Sequence, residues 1–171
     1  AVLAALALRE RGVVGTDIES VSVEVGPPND MLFVPRPQRI APQTAIGAKF
    51  SIPFVFASAM ETGDLTLPSF APDRLRSRST LALAARVSMD DTPLPDGTEA
   101  TYTVQVRGGA ILRESVETVP VWRAGDISLS DLSTKLDVCF RASTRPPDLQ
   151  AFLGAIARLE GQSITSVTRQ L

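Results

Sequence analysis

Side chains able to do chemistry are sparse in this chain, and the missing types restrict it as much as those present. None of the 171 residues is a histidine, which removes histidine metal sites and Ser-His-Asp triads from consideration. The single cysteine, Cys139, lacks the neighbouring base that a thiol nucleophile wants and reads as a small buried hydrophobe. Alone, it requires no oxidising compartment. Asp90 and Asp91 lie in a Pro/Gly/Asp stretch and read as a solvated turn, not as an acid and base held across a cleft. Only two of the 17 cationic side chains are lysines, Lys49 and Lys135, so arginine is the default positive charge. A compact ammonium with three donors orients a carboxylate where a planar guanidinium does not fit. The plainer reading of either lysine is a charge in solvent. Ser51, two residues after Lys49, can cap a helix or donate a hydrogen bond to a ligand. Acid/base chemistry here falls to carboxylates, lysines or the lone tyrosine, or to groups borrowed from elsewhere.

The elements that must position these residues follow from periodicity. Residues 1–11 predict an uncapped helix stopped by Gly12. Ile18, Val21, Val23 and Val25 alternate with polar residues over 17–25 as a half-buried strand, ended by Gly26-Pro27-Pro28. Residues 28–47 hold four of the thirteen prolines and read as a long irregular connection with one short turn near 29–33. A nearly all-apolar helix is expected over 50–62, with Pro53 in its first turn and Gly63 after its end. A further helix over 73–86 and a short strand at 87–89 follow. A hairpin, 101–107 and 111–118, turns at Gly108-Gly109. A bulged three-residue turn pairing Val106 with Leu112 and Tyr102 with Val116 is the expected register. Trp122 is expected to pack over the hairpin, with Arg123 and Asp126 beside it in a loop. Helices at 129–142 and 148–160 and a short one from Ser163 complete the reading.

These elements predict an α+β fold: a small, largely antiparallel sheet packed with helices, followed by a helical C-terminal segment. The expected division is an α+β domain over 1–126 and a helical tail over 127–171. A net charge of -2 with mixed signs gives no basic stripe for nucleic acid and no polybasic membrane patch. No apolar run approaches the roughly 20 residues of a spanning helix. The first helix starts without Met, cap or basic leader, so Ala1 is expected to be a cut edge within a longer protein.

The segment Ala48-Lys49-Phe50-Ser51-Ile52-Pro53-Phe54 resembles a motif of the MmgE/PrpD family of 2-methylcitrate dehydratases, cis-aconitate decarboxylases and iminodisuccinate epimerases. The Ala-rich helix ending Leu8-Arg9, the Asp17-Ile18-Glu19 strand, Leu67-Pro68-Ser69-Phe70 and the Leu132-to-Leu136 segment extend the likeness in order. The resemblance implies the C-terminal region of a lyase or isomerase that moves a proton beside a carboxylate of a small di- or tricarboxylate. It implies no metal or other cofactor, a cytoplasmic location, a homodimer, and catalytic groups mainly on an all-helical domain upstream of Ala1, against which the 127–171 tail packs. Lys49, Ser51 and Phe54 become the substrate-binding candidates. Phe54 departs from the family, where many members have a tyrosine whose hydroxyl phenylalanine lacks. A non-catalytic relative serving binding or dimer formation is the alternative, and an unrelated α+β ligand-binding domain is a third.

Overall fold

The computed structural model describes residues 1–117, 129–141, 143 and 148–157. The chain divides into two compact units, Ala1–Pro120 and Val121–Leu171. In the first, a four-stranded sheet has the order β2-β1-β3-β4. Its strands are β1 (Ile18–Val25), β2 (Val87–Met89), β3 (Glu99–Val106) and β4 (Ile111–Glu117). The β1–β3 and β3–β4 pairs are antiparallel, and only the short β2 runs parallel to β1. The sheet is thus largely antiparallel and the fold α+β, as the sequence implies.

One sheet face is apolar. Ile18, Val21, Val23 and Val25 of β1 and Ala100, Tyr102 and Val104 of β3 are fully or almost fully buried. A register shift between Ile18 and Ser20 lets Ile18 share a face with Val21 although they lie three positions apart. Against this face lie α1 (Val2–Glu10), through Ala4, Ala5 and Leu8, and α4 (Ile52–Thr62). In α4 every residue from Ile52 to Met60 is buried. Phe56 stacks on Tyr102 with ring centroids 5.5 Å apart. Phe54 turns instead into a separate small cluster with Ala48 and Leu75, flanked by Phe70 and Leu81.

Several expectations need correction. The hairpin does have a three-residue connection, Arg107 to Gly109, and both glycines take positive φ. However, Ala110 continues the ladder by accepting from Val106 N at 3.0 Å, so Val104 faces Leu112 and Ala100 faces Val116. The expected register is two residues out, which leaves each side chain on its predicted face. The connection over 28–47 is not irregular: a 3-10 turn at Asn29–Phe33 precedes α2 (Arg36–Ile40) and α3 (Ala45–Lys49). Prolines disguise these short helices because the first turn has no use for the missing N–H. The helix expected from 50 starts at Ile52, leaving Phe50 outside it and 57% exposed. The helix expected over 73–86 is a 3-10 turn, Arg74–Arg76, followed by α5 (Arg78–Ala84), which Ser77 caps by accepting from Thr80 N.

The ends of α4 and α5 meet at Glu61, whose carboxylate accepts from the hydroxyls of Ser79 (2.5 Å), Thr80 and Ser77. Burial raises its pKa, but these hydroxyls and nearby Arg74 outweigh that and hold it below the ordinary value of 4.5. In the second unit, α6 (Leu129–Arg141) and α7 (Leu149–Ala157) touch through the edge-to-face pair Phe140–Phe152, centroids 5.4 Å apart. Cys139 is exposed, not buried, because it shares the outer face of α6 with exposed Lys135 one turn before it. Trp122, Arg123, Asp126 and the helix expected from Ser163 lie outside the described residues.

Two predictions follow from this packing. Phe56→Ala should destabilise the chain by about 3–5 kcal/mol in urea denaturation, whereas Phe50→Ala should change stability by no more than about 0.5 kcal/mol. Because Glu61 has a depressed folded pKa, its stabilisation is complete above its unfolded value and lost as pH falls through the folded one. The stability gap between wild type and Glu61→Gln should therefore be widest at neutral pH and close below pH 4.5. A gap independent of pH would show that the carboxylate charge is irrelevant.

Candidate functional site

The Lys49-Phe50-Ser51 segment is a hinge between two helices. Lys49 is the last residue of α3, where a cation complements the carbonyl end of the helix, and Phe50 is its C-cap. Ser51 is the N-cap of α4: its Oγ accepts from Phe54 N at 3.0 Å and donates to the Arg39 carbonyl at 2.5 Å. That second bond ties the end of α2 to the start of α4. Ser51 is 1% exposed, so its hydroxyl is committed to structure in both directions.

Beside this hinge lies a cavity of about 300 Å³, lined by residues of α1, the 29–33 turn, the hinge, the start of α4 and strands β1, β3 and β4. The volume suits a small ligand. The walls are mainly apolar, with Val2, Leu3, Val25, Leu32, Ile52, Val55, Ala100 and Val116. Its polar members are Asn29, Lys49, Ser51, Tyr102 and Glu117. Asn29 is engaged through its Nδ2, which donates to the Gly97 carbonyl at 2.9 Å. Lys49 and Glu117 are exposed and belong to the rim. The Lys49 ammonium rests 5.4 Å from the centre of the Phe70 ring, a cation–π contact that leaves its flexible stem along the cavity.

The structure thus brings Lys49 and Ser51 to one cavity and leaves Phe54 out of it. The reason is angular. Ile52 and Val55 share a face of α4, whereas Phe54 lies two residues from Ile52, about 200° around the helix. A hydroxyl at position 54 would meet the Ala48–Leu75 cluster and not this cavity.

Sequence reasoning missed Tyr102. Its side chain is 1% exposed, lines the cavity from β3, and is the chain's only phenol. Among the described residues its hydroxyl has no hydrogen-bond partner, and no sealed side-chain oxygen or nitrogen is left unpaired. The hydroxyl therefore keeps its access through the cavity. Burial pushes its pKa well above the ordinary 10, so the phenol stays protonated across physiological pH and acts as a donor. The alternation of β3 turns Tyr102 inward with Ala100 and Val104. That signal was legible, although the sequence does not show that a cavity lies there.

A second cavity of about 350 Å³ includes Arg9, Glu61 and Arg86 in its lining. Its charged groups already serve the fold: Arg9 donates to the Met60 carbonyl and Arg86 to the Ile18 carbonyl, both at 2.5 Å, and Glu61 holds the start of α5. Asp90 likewise secures a loop, accepting from Ser22 Oγ at 2.7 Å and Thr92 N at 3.0 Å. No group of three or more His, Cys, Asp or Glu side chains among the described residues is placed to hold a metal ion. No helix there is long and apolar enough to cross a membrane.

Fold and cavity together define an α+β domain with a small, mostly apolar site built at a helix–helix hinge against a sheet. Residues 1–153 match the MmgE/PrpD C-terminal domain, and the chain belongs to that family. No curated protein matches it.

From the double role of its hydroxyl, Ser51→Ala should lower stability by about 1–2 kcal/mol, through the lost cap and the orphaned Arg39 carbonyl. Ser51→Asp should restore only the capping share. Chemical denaturation of the two variants measures this, and equal stability of all three proteins would dismiss the capping role.

Proposed function

We propose that this chain is the C-terminal part of a cofactor-independent lyase or isomerase acting on a small di- or tricarboxylate, by proton transfer at a carbon beside a carboxylate. The observation that carries the reading is the family match over residues 1–153, to a domain named as C-terminal in a family associated with dehydratase-type chemistry. The cavity supports it in kind. A small site with a neutral donor inside and a cation on its rim suits an acid substrate, and the polar groups present are suited to holding developing negative charge. In this reading Lys49 leaves the Phe70 ring to meet a carboxylate, Ser51 fixes the hinge that carries Lys49, and Phe54 supports the hinge from behind. The base that takes the proton comes from a preceding helical domain, because among the described residues the one carboxylate in the lining is Glu117, which is exposed at the rim. A homodimer in the cytoplasm completes the proposal.

A second reading has one observation in its favour. The Ser51 hydroxyl is spent on capping and position 54 carries no hydroxyl, so the hinge supplies no free proton-transfer group besides Lys49. This fits a non-catalytic family member whose domain binds or dimerises.

The test is turnover. The 171-residue chain alone should not convert 2-methylcitrate or cis-aconitate, and a longer polypeptide carrying a helical domain before Ala1 should convert one of them or a related acid. In that longer protein Lys49→Ala should reduce kcat/KM by about 10–100-fold, chiefly through KM, if the ammonium binds a carboxylate. Turnover by the short chain, or none by the longer protein on any such acid, would overturn the proposal.

A further inference from the structure

Among the described residues, Tyr102 is the one buried polar side chain lining the cavity whose hydrogen-bonding capacity the fold leaves unused. Packing holds the residue in place: its ring stacks on Phe56 at 5.5 Å, and its backbone is locked in β3 between Val23 on β1 and Glu114 on β4. The residue is 1% exposed, so what access its hydroxyl keeps runs through the cavity, and a donor there without a protein partner is available to a ligand. Such a group is kept where a partner arrives. The polarity of the cavity is graded in the same sense, since the charged side chains Lys49 and Glu117 lie on the exposed rim and the buried polar side chains of the lining, Ser51 and Tyr102, are neutral.

We propose that the Tyr102 hydroxyl is the anchoring donor of this cavity, binding one carboxylate oxygen of a small acid whose short aliphatic body lies against Val25, Ile52 and Val55. The inference rests on the carboxylate reading above and narrows it to acids with an apolar substituent. It also makes a residue outside the Lys49–Phe54 motif the specificity determinant. A phenol that remains protonated is suited to the task, because a neutral donor binds an anion without a buried charge of its own to neutralise. Ser51 cannot replace it, having both an acceptor and a donor bond already.

The chain contains a single tyrosine, so incorporation of 3-fluorotyrosine gives one fluorine resonance that belongs to Tyr102. Methylsuccinate added to the full 171-residue chain at pH 7, up to about 10 mM, should move that resonance saturably, a range that covers millimolar binding. The uncharged diamide of the same acid should not move it, and succinate should bind more weakly than methylsuccinate. Tyr102→Phe keeps the stacking surface, and in that variant the amide signals of Ser51 and Ile52 should report methylsuccinate binding weakened about tenfold or more. An unmoved fluorine signal, an equal response to the diamide, or unchanged affinity of the Phe variant would overturn the proposal. If the variant does not fold, the fluorine titration of the wild-type chain still decides. The two readings fail separately: turnover by the longer protein with a silent Tyr102 refutes this inference alone, and a responsive Tyr102 without turnover refutes the enzyme alone.

Discussion

A helix buried on every side is the constraint on which the rest of this structure depends. From Ile52 to Met60, α4 exposes almost nothing to water, so it needs partners all round: the sheet, α1, α5 and the hinge segment each cover one sector. At about 1.5–3 kcal/mol for each large side chain removed from water, Ile52, Phe54, Phe56 and Met60 supply much of the drive for assembly. Alanines at 57 and 59 let neighbouring backbones approach, as do Ala4 and Ala5 on α1 and Ala84 on α5. Because α4 is fixed so completely, its N-terminus is fixed too. The Lys49-Phe50-Ser51 hinge inherits its position from a core to which Lys49 and Phe50 contribute nothing.

The cavity arises from the same arrangement. Where α4 begins, α1, the 29–33 turn and the ends of β1, β3 and β4 converge without a bulky side chain to fill the space between them. Phe56, a turn further along, seals it from below by stacking on Tyr102. The same tyrosine therefore closes the core with its ring and addresses the cavity with its hydroxyl, a division of labour that phenylalanine could perform only in part. Family membership places the domain, and the geometry says which of its described side chains face the cavity without a structural hydrogen bond.

What the sequence made legible was local. The β1 alternation, the apolar α4 with Pro53 in its first turn, the Ser51 cap and the Gly108-Gly109 reversal all carry their physics within a few residues, and each is present, α4 starting two residues later than read. Features that depend on distant partners were not legible. The parallel β1–β2 pair joins Val21 to Val87, and nothing near either residue announces it. Phe54 entered the reading because the family resemblance sets it at a position where many members have tyrosine, yet the helix turns it into the Ala48–Leu75 cluster. Tyr102 lies 51 residues from Ser51 and was placed only in the hairpin, yet the fold sets both at one cavity. The hairpin register failed for a smaller reason: whether Ala110 belongs to the turn or the ladder is decided by one backbone hydrogen bond.

Of the two inner strands of the sheet, β1 is also the first of the four to be synthesised. Both of its neighbours lie more than 60 residues downstream, with β2 starting at Val87 and β3 at Glu99. Until they emerge from the ribosome, β1 has two unsatisfied edges and α4 has no sheet to cover it. Topology of this kind puts the entropic cost of long loops before any pairing reward, which slows folding and prolongs the interval in which sticky surface is open to other chains. For this domain the hazardous period is therefore early in its life, and an escort that shields apolar segments would matter most while the ribosome is still between the first strand and the hairpin.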